Sequence, residues 1–223
     1  MIASLLELAQ QLIQVLLHLD VYVNQWCTAL GVGVYVLLFL IIFAETGLVV
    51  TPFLPGDSFL FALGALTAVD DAYLSLPVLI VLLISAALCG DLTNYHIGRY
   101  LGPKVFHNEG GRFLNRKYLD RTHAFYEKHG GKTIIIARFA PIIRTFAPFV
   151  AGVGAMRFTR FISFSVVGAV VWVTSFLSAG RFFGNLPAVK SNFHIVIVAI
   201  ILVSLMPMFY EMFKAWRARG AES

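Results

Sequence analysis

Residues 133–156 read TIIIARFAPIIRTFAPFVAGVGAM, and an earlier segment, residues 46–69, reads TGLVVTPFLPGDSFLFALGALTAV. Both are apolar enough for a membrane, yet neither can cross one as a regular helix. The later segment is interrupted by Pro141 and Pro148 and carries Arg138 and Arg144; the earlier is interrupted by Pro52, Pro55 and Gly56 and carries Asp57, with Glu45 just ahead of it. Proline removes an amide donor and crowds the preceding turn, and lipid supplies no replacement partner for the carbonyl left behind. Such backbone belongs inside protein or beside a watery cavity. We therefore expect two opposed re-entrant helical hairpins, 45–69 and 133–156, with their breaks at Pro52, Pro55, Gly56, Pro141 and Pro148. A pair of interrupted apolar segments, one in each half of a chain, is the sequence pointer to a transporter's midplane site. Glu45 precedes Pro55 by the same interval that Arg138 precedes Pro148, which suggests an internal repeat.

Around these segments the chain is a membrane protein by composition. Of its 223 residues 59% are hydrophobic and 13% charged, whereas soluble domains carry roughly 25% charged residues. Uncharged stretches at 21–44, 72–90, 161–180 and 191–210 match the ~20 residues a helix needs to cross the bilayer core. The expected architecture is all-α, a single membrane domain over residues 1–223. An amphipathic helix at 2–19 is followed by spans at 21–44, 72–99, 158–181 and 191–212, with the hairpins between them. A loop at 100–132 contains a surface helix near 112–129 that ends at Gly130–Gly131, and 213–223 forms a tail. Of the tryptophans, Trp172 lies too deep for an interfacial anchor and reads as packing.

Charge sets orientation. Residues 99–132 carry eight Lys/Arg against three Asp/Glu, Arg157 and Arg160 follow the second hairpin, and Lys214, Arg217 and Arg219 lie in the tail. The positive-inside rule places all three on the cytoplasmic side, with both termini inside. The formal net charge of +5 thus reports topology and affinity for anionic phospholipid, and no nucleic-acid partner is expected. Cys27 and Cys89 lie in apolar runs without metal-site or disulfide spacing, so neither a metal nor another cofactor is expected. The N-terminus lacks the features of a cleaved signal peptide.

The chemistry concentrates on few residues. A charged side chain at mid-bilayer costs about 2.5–3.5 kcal/mol, so Glu45, Asp57, Arg138 and Arg144 would cost roughly 10–14 kcal/mol facing lipid. They must face each other or water. Arginine grips phosphate through paired N–H donors, so Arg138 and Arg144, with Thr145 and amides freed at the helix break, suit an oxyanion. Glu45 and Asp57 are candidates for proton uptake and release. Asp91 and Tyr95, one helical turn apart in a polar cluster with Asn94 and Arg99, are candidates for the substrate path. Zinc-protease, nucleophile-elbow, Walker and Rossmann signatures are absent, so no enzyme is expected.

At 45–57 (ETGLVVTPFLPGD), 94–99 (NYHIGR) and 137–152 (ARFAPIIRTFAPFVAG) the chain resembles the bacterial DedA family, also called the SNARE-associated or VTT-domain proteins. The resemblance covers about residues 25–210. It implies a multi-pass bacterial inner-membrane protein that recycles undecaprenyl phosphate in a manner dependent on the proton motive force. It also implies essential roles for the two acids and two arginines that map onto Glu45, Asp57, Arg138 and Arg144. The expectation is a proton-coupled lipid flippase for undecaprenyl phosphate or a similar polyprenyl phosphate. Two alternatives stand beside it: a proton-coupled antiporter of small cations or cationic drugs, and a non-transporting membrane scaffold. A homodimer is allowed but not specified by the sequence.

Overall fold

The computed structural model describes residues 19–47, 56–68, 74–105, 131–139 and 141–186. The amphipathic helix at 2–19 (except Leu19), the loop helix at 112–129, the span at 191–212, the tail, and Pro52 and Pro55 lie outside the described residues. Within them every regular element is helical: α1 Leu19–Leu30, α2 Gly33–Gly47, α3 Gly56–Leu66, α4 Leu76–Val105, α5 Lys132–Ala137, α6 Pro141–Val153 and α7 Phe158–Gly184.

Two of these, α4 and α7, are apolar over 27 residues each (Leu76–Gly102 and Phe158–Gly184), long enough to cross the ~30 Å hydrocarbon core. Along α7 the buried positions form two adjacent rows, Phe161, Ser165, Gly168 and Trp172 beside Ala169, Val173, Leu177 and Gly180, each advancing by three or four residues, which is the stripe of a helix packed on one face. Val166, Val167, Val170 and Val171 are exposed on the other, as suits a surface turned to lipid.

Two expectations are corrected. The stretch 21–44 is not one helix, because the chain breaks at Gly31–Val32. Gly31 adopts φ +53° and its amide donates to the Cys27 carbonyl at 2.9 Å, the single-bond left-handed cap that glycine tolerates best. Pro148 does not interrupt a helix either, since it lies inside α6. Its missing amide would leave the Arg144 carbonyl without its helical donor. Asn94 Nδ2 on α4 reaches the next carbonyl along, that of Thr145, at 3.3 Å. Pro141 opens α6, where an absent amide costs nothing.

The described chain groups into two compact units. The first comprises residues up to Tyr35, those from Pro55 to Leu79, and those from Ser175 on. In it α3 packs on the C-terminal turns of α7 with almost no space between backbones. A Cβ on Gly64 would strike Leu177, one on Gly180 would strike Phe61, and one on Gly184 would strike Ala65. Small residues at such spacings let helices approach closely where apolar burial alone gives little drive. Arg181 Nη1 donates to the Thr67 carbonyl at 3.2 Å, placing a cation at the C-terminal end of α3 where the helix dipole favours it.

The second unit comprises Val36–Leu54 and Ile80–Thr174. It repeats this packing with α4 and α6: Gly98 meets Phe149, Gly102 meets Val153, and Gly152 meets Tyr95. Positions 61, 64 and 65 thus correspond to 149, 152 and 153, each 88 residues on, and 95, 98 and 102 correspond to 177, 180 and 184, each 82 on. The internal repeat is therefore present in the packing, but not in the register of the matched Glu45–Pro55 and Arg138–Pro148 intervals, which are offset by 93 residues. Close backbone approach, rather than the placing of prolines and charges, defines the correspondence. The core of the second unit gathers Tyr95, Ile134, Ala151, Met156 and Phe161, with the Tyr95 and Phe161 rings stacked at 4.3 Å.

Candidate functional site

The second unit buries two ion pairs. Asp91 sits on α4, Arg138 follows the last turn of α5, and Ser165 lies on α7. Arg138 Nη2 donates to Asp91 Oδ2 and reaches Ser165 Oγ at 3.3 Å, while Ser165 Oγ donates to the same Asp91 oxygen. The side chains of Arg138 and Asp91 are 5% and 4% exposed, so the pair is out of water. Gly168, one turn beyond Ser165, leaves room for the arginine: a Cβ there would lie 3.2 Å from Arg138 Nε.

The other pair joins Arg144, in the first turn of α6, to Glu45, in the last turn of α2. Its side chains are as deeply buried. One indole serves both cations. The guanidinium carbons of Arg138 and Arg144 lie 5.8 Å and 5.1 Å from the Trp172 ring centroid, within the range in which an aromatic face attracts a cation. Asn94, fully buried, donates from Nδ2 to the carbonyls of Thr46 at 2.6 Å and Thr145 at 3.3 Å, fastening the ends of α2 and α6 to α4. Gly90 makes this possible, since a Cβ there would collide with the Thr46 side chain.

Chemically the cluster is two guanidinium groups, two carboxylates, a hydroxyl and an indole held on five helical segments, with formal charges that cancel. Desolvating such pairs is costly, and each is sustained only while both partners are present. Exchanging a carboxylate for an oxyanion, or protonating it as an anion enters, would preserve the balance. Bidentate N–H geometry suits a phosphate as well as a carboxylate.

The structure brings together Glu45, Arg138, Arg144, Thr145 and Asp91, all of them buried. Arg144 pairs with Glu45 and Arg138 with Asp91, and Asp57 stands in the first turn of α3, partly buried. Gly56 opens that helix. Tyr95 is a packing residue and not part of this cluster: its hydroxyl donates to the Met156 carbonyl, accepts from Arg99 Nη1 at 3.1 Å, and its ring stacks on Phe161. Sequence reasoning missed Ser165 and gave Trp172 a passive role. The available signal was the spacing of Ser165, Gly168 and Trp172, at i, i+3 and i+7 on one face of α7.

Residues 54–182 match the VTT domain family. The chain is 51% identical to protein DedA of Escherichia coli over 213 residues, 96% of this chain and 97% of that protein. It is 44% identical to an uncharacterized membrane protein of Mycobacterium tuberculosis over 87% of this chain and 86% of that one. With the inner membrane protein YqjA of Escherichia coli it shares 34% identity over 82% of this chain and 81% of that one. No solved structure matches. With a matching family domain over more than half its length and full-length relatives named as membrane proteins, this chain belongs to the VTT-domain, or DedA, family of membrane proteins.

Proposed function

We propose that this protein moves a polyprenyl phosphate, undecaprenyl phosphate or a close analogue, across the bacterial inner membrane as a proton-coupled flippase, without enzymatic chemistry. The observation that carries the reading is the pair of buried arginines beside one indole, each held by a carboxylate that a phosphate can replace. A lipid whose tail stays in hydrocarbon while its headgroup crosses needs such a site, deep and cationic when occupied and self-neutralised when empty. Arg138 and Arg144 grip the phosphate and Thr145 assists. Glu45 and Asp57 take up protons, and a protonated Glu45 loses its hold on Arg144, freeing donors for the headgroup. Four spanning segments, the first of them broken at Gly31, with two re-entrant hairpins and both termini cytoplasmic, form the proposed frame, and anionic phospholipids its surroundings.

Reconstitution in liposomes tests the reading. Flipping of a fluorescent polyprenyl phosphate should be lost in Arg138→Ala and Arg144→Ala, and Arg→Lys at either position should fall about tenfold or more, because lysine lacks the bidentate fork. Transport that persists with both arginines replaced by alanine removes the phosphate clamp.

A scaffold reading draws on the same ion pairs, taken as permanent staples. It predicts that charge-neutral replacement of a whole pair leaves cellular function intact. The antiporter reading predicts that Arg→Lys is tolerated while neutralising Glu45 abolishes activity.

A further inference from the structure

We propose that Trp172 is the positioning residue that keeps the two arginines of the site side by side, so that they act as one receptor for a phosphate headgroup. This rests on the phosphate-clamp reading above and adds to it the element that makes the clamp bivalent.

The two arginines stand on different helical segments. Arg138 lies just beyond the end of α5 and Arg144 in the first turn of α6, with the helix interrupted between them. Their carboxylate partners also lie on different elements, Asp91 on α4 and Glu45 on α2. Like charges drawn close in a medium of low dielectric repel, and each carboxylate holds one arginine. The Trp172 ring is shared, at 5.8 Å from one guanidinium carbon and 5.1 Å from the other. Its indole is fully buried, and desolvation is the setting in which the negative face of an aromatic ring attracts a cation most strongly. A carboxylate can protonate or be displaced, whereas an indole does neither. When the headgroup replaces a carboxylate, the ring still fixes the guanidinium. Ser165 and Gly168 lie two turns and one turn ahead of Trp172 on the same face of α7, the first hydrogen-bonded to Arg138 and the second making room for it. One face of one helix therefore offers a hydroxyl and a gap to Arg138 and a ring to both cations.

The test uses the full chain in lipid nanodiscs with Trp172→Leu, which removes the aromatic face, and Trp172→Phe, which keeps one. The first readout needs no ligand: phenylglyoxal modification of Arg138 and Arg144, followed by peptide mass spectrometry. Modification should quicken about fivefold or more in Trp172→Leu and stay within about twofold of wild type in Trp172→Phe. The second readout is binding of farnesyl phosphate, expected to weaken about tenfold in Trp172→Leu and to be restored largely by Trp172→Phe. A Trp172→Leu protein with wild-type modification rates overturns the proposal, as does a Trp172→Phe protein no better than Trp172→Leu. If wild type binds no farnesyl phosphate, the phosphate-clamp reading falls while the modification rates still decide the role of Trp172. If Trp172→Leu does not fold, Trp172→Met carries the same comparison with Trp172→Phe.

Discussion

Asp91 is the residue on which Arg138 depends for burial. Breaking a buried ion pair from one side leaves a stranded charge and costs about 3–5 kcal/mol, whereas removing both partners is far less damaging. Asp91→Asn should therefore lower the thermal midpoint of the detergent-solubilised protein sharply. The double variant Asp91→Asn, Arg138→Gln should recover most of the loss. Additive effects in that cycle would show that the two side chains do not depend on each other. That Glu45, Arg138 and Arg144 would be buried against partners was legible, because charges within apolar runs have few places to go. Their pairing was not. Asp91 lies 47 residues before Arg138 and Glu45 lies 99 before Arg144, separations over which no local periodicity carries information. Ser165 and Trp172 were hidden for another reason: a serine and a tryptophan in a spanning helix look like ordinary packing until a neighbour arrives from elsewhere in the chain.

At the scale of elements, the glycines of α4 and α7 set how closely their partners approach. A Cβ at Gly98 would run into the Phe149 backbone, and one at Gly180 into that of Phe61. Adding bulk at a packed contact costs about 1–3 kcal/mol. Gly98→Val and Gly180→Val should each lower stability by at least that much, and by similar amounts, since the two contacts correspond in register. A large effect at one and none at the other in a thermal unfolding series would argue that the packing repeat has no energetic counterpart. In the later segment the interruption ahead of Pro141 was visible in the sequence, but the continuity of the helix through Pro148 was not. Pro148 lies within α6, and the break in the stretch 21–44 is made by a glycine, Gly31, whose left-handed backbone leaves no mark on a hydropathy profile.

For the whole molecule the governing quantity is where charge sits along the two long helices. In the second unit the C-terminal part of α4 and the start of α7 lie together, with the His96 and Phe158 rings 5.8 Å apart. Arg99, Lys132, Arg157 and Arg160 are all exposed there. At the far end of α7 a single cation, Arg181, stands among the described residues, and it donates to the Thr67 carbonyl. The basic end should face the cytoplasm. Single cysteines at Lys132 and Arg160, in a chain whose Cys27 and Cys89 are replaced by serine, should react with a membrane-impermeant maleimide in inverted vesicles and stay unlabelled in intact spheroplasts. Labelling from the outer face would reverse the topology. It would also place the basic loop where positive residues are disfavoured, so the +5 net charge would need a partner other than the membrane potential and the anionic inner leaflet to hold it there.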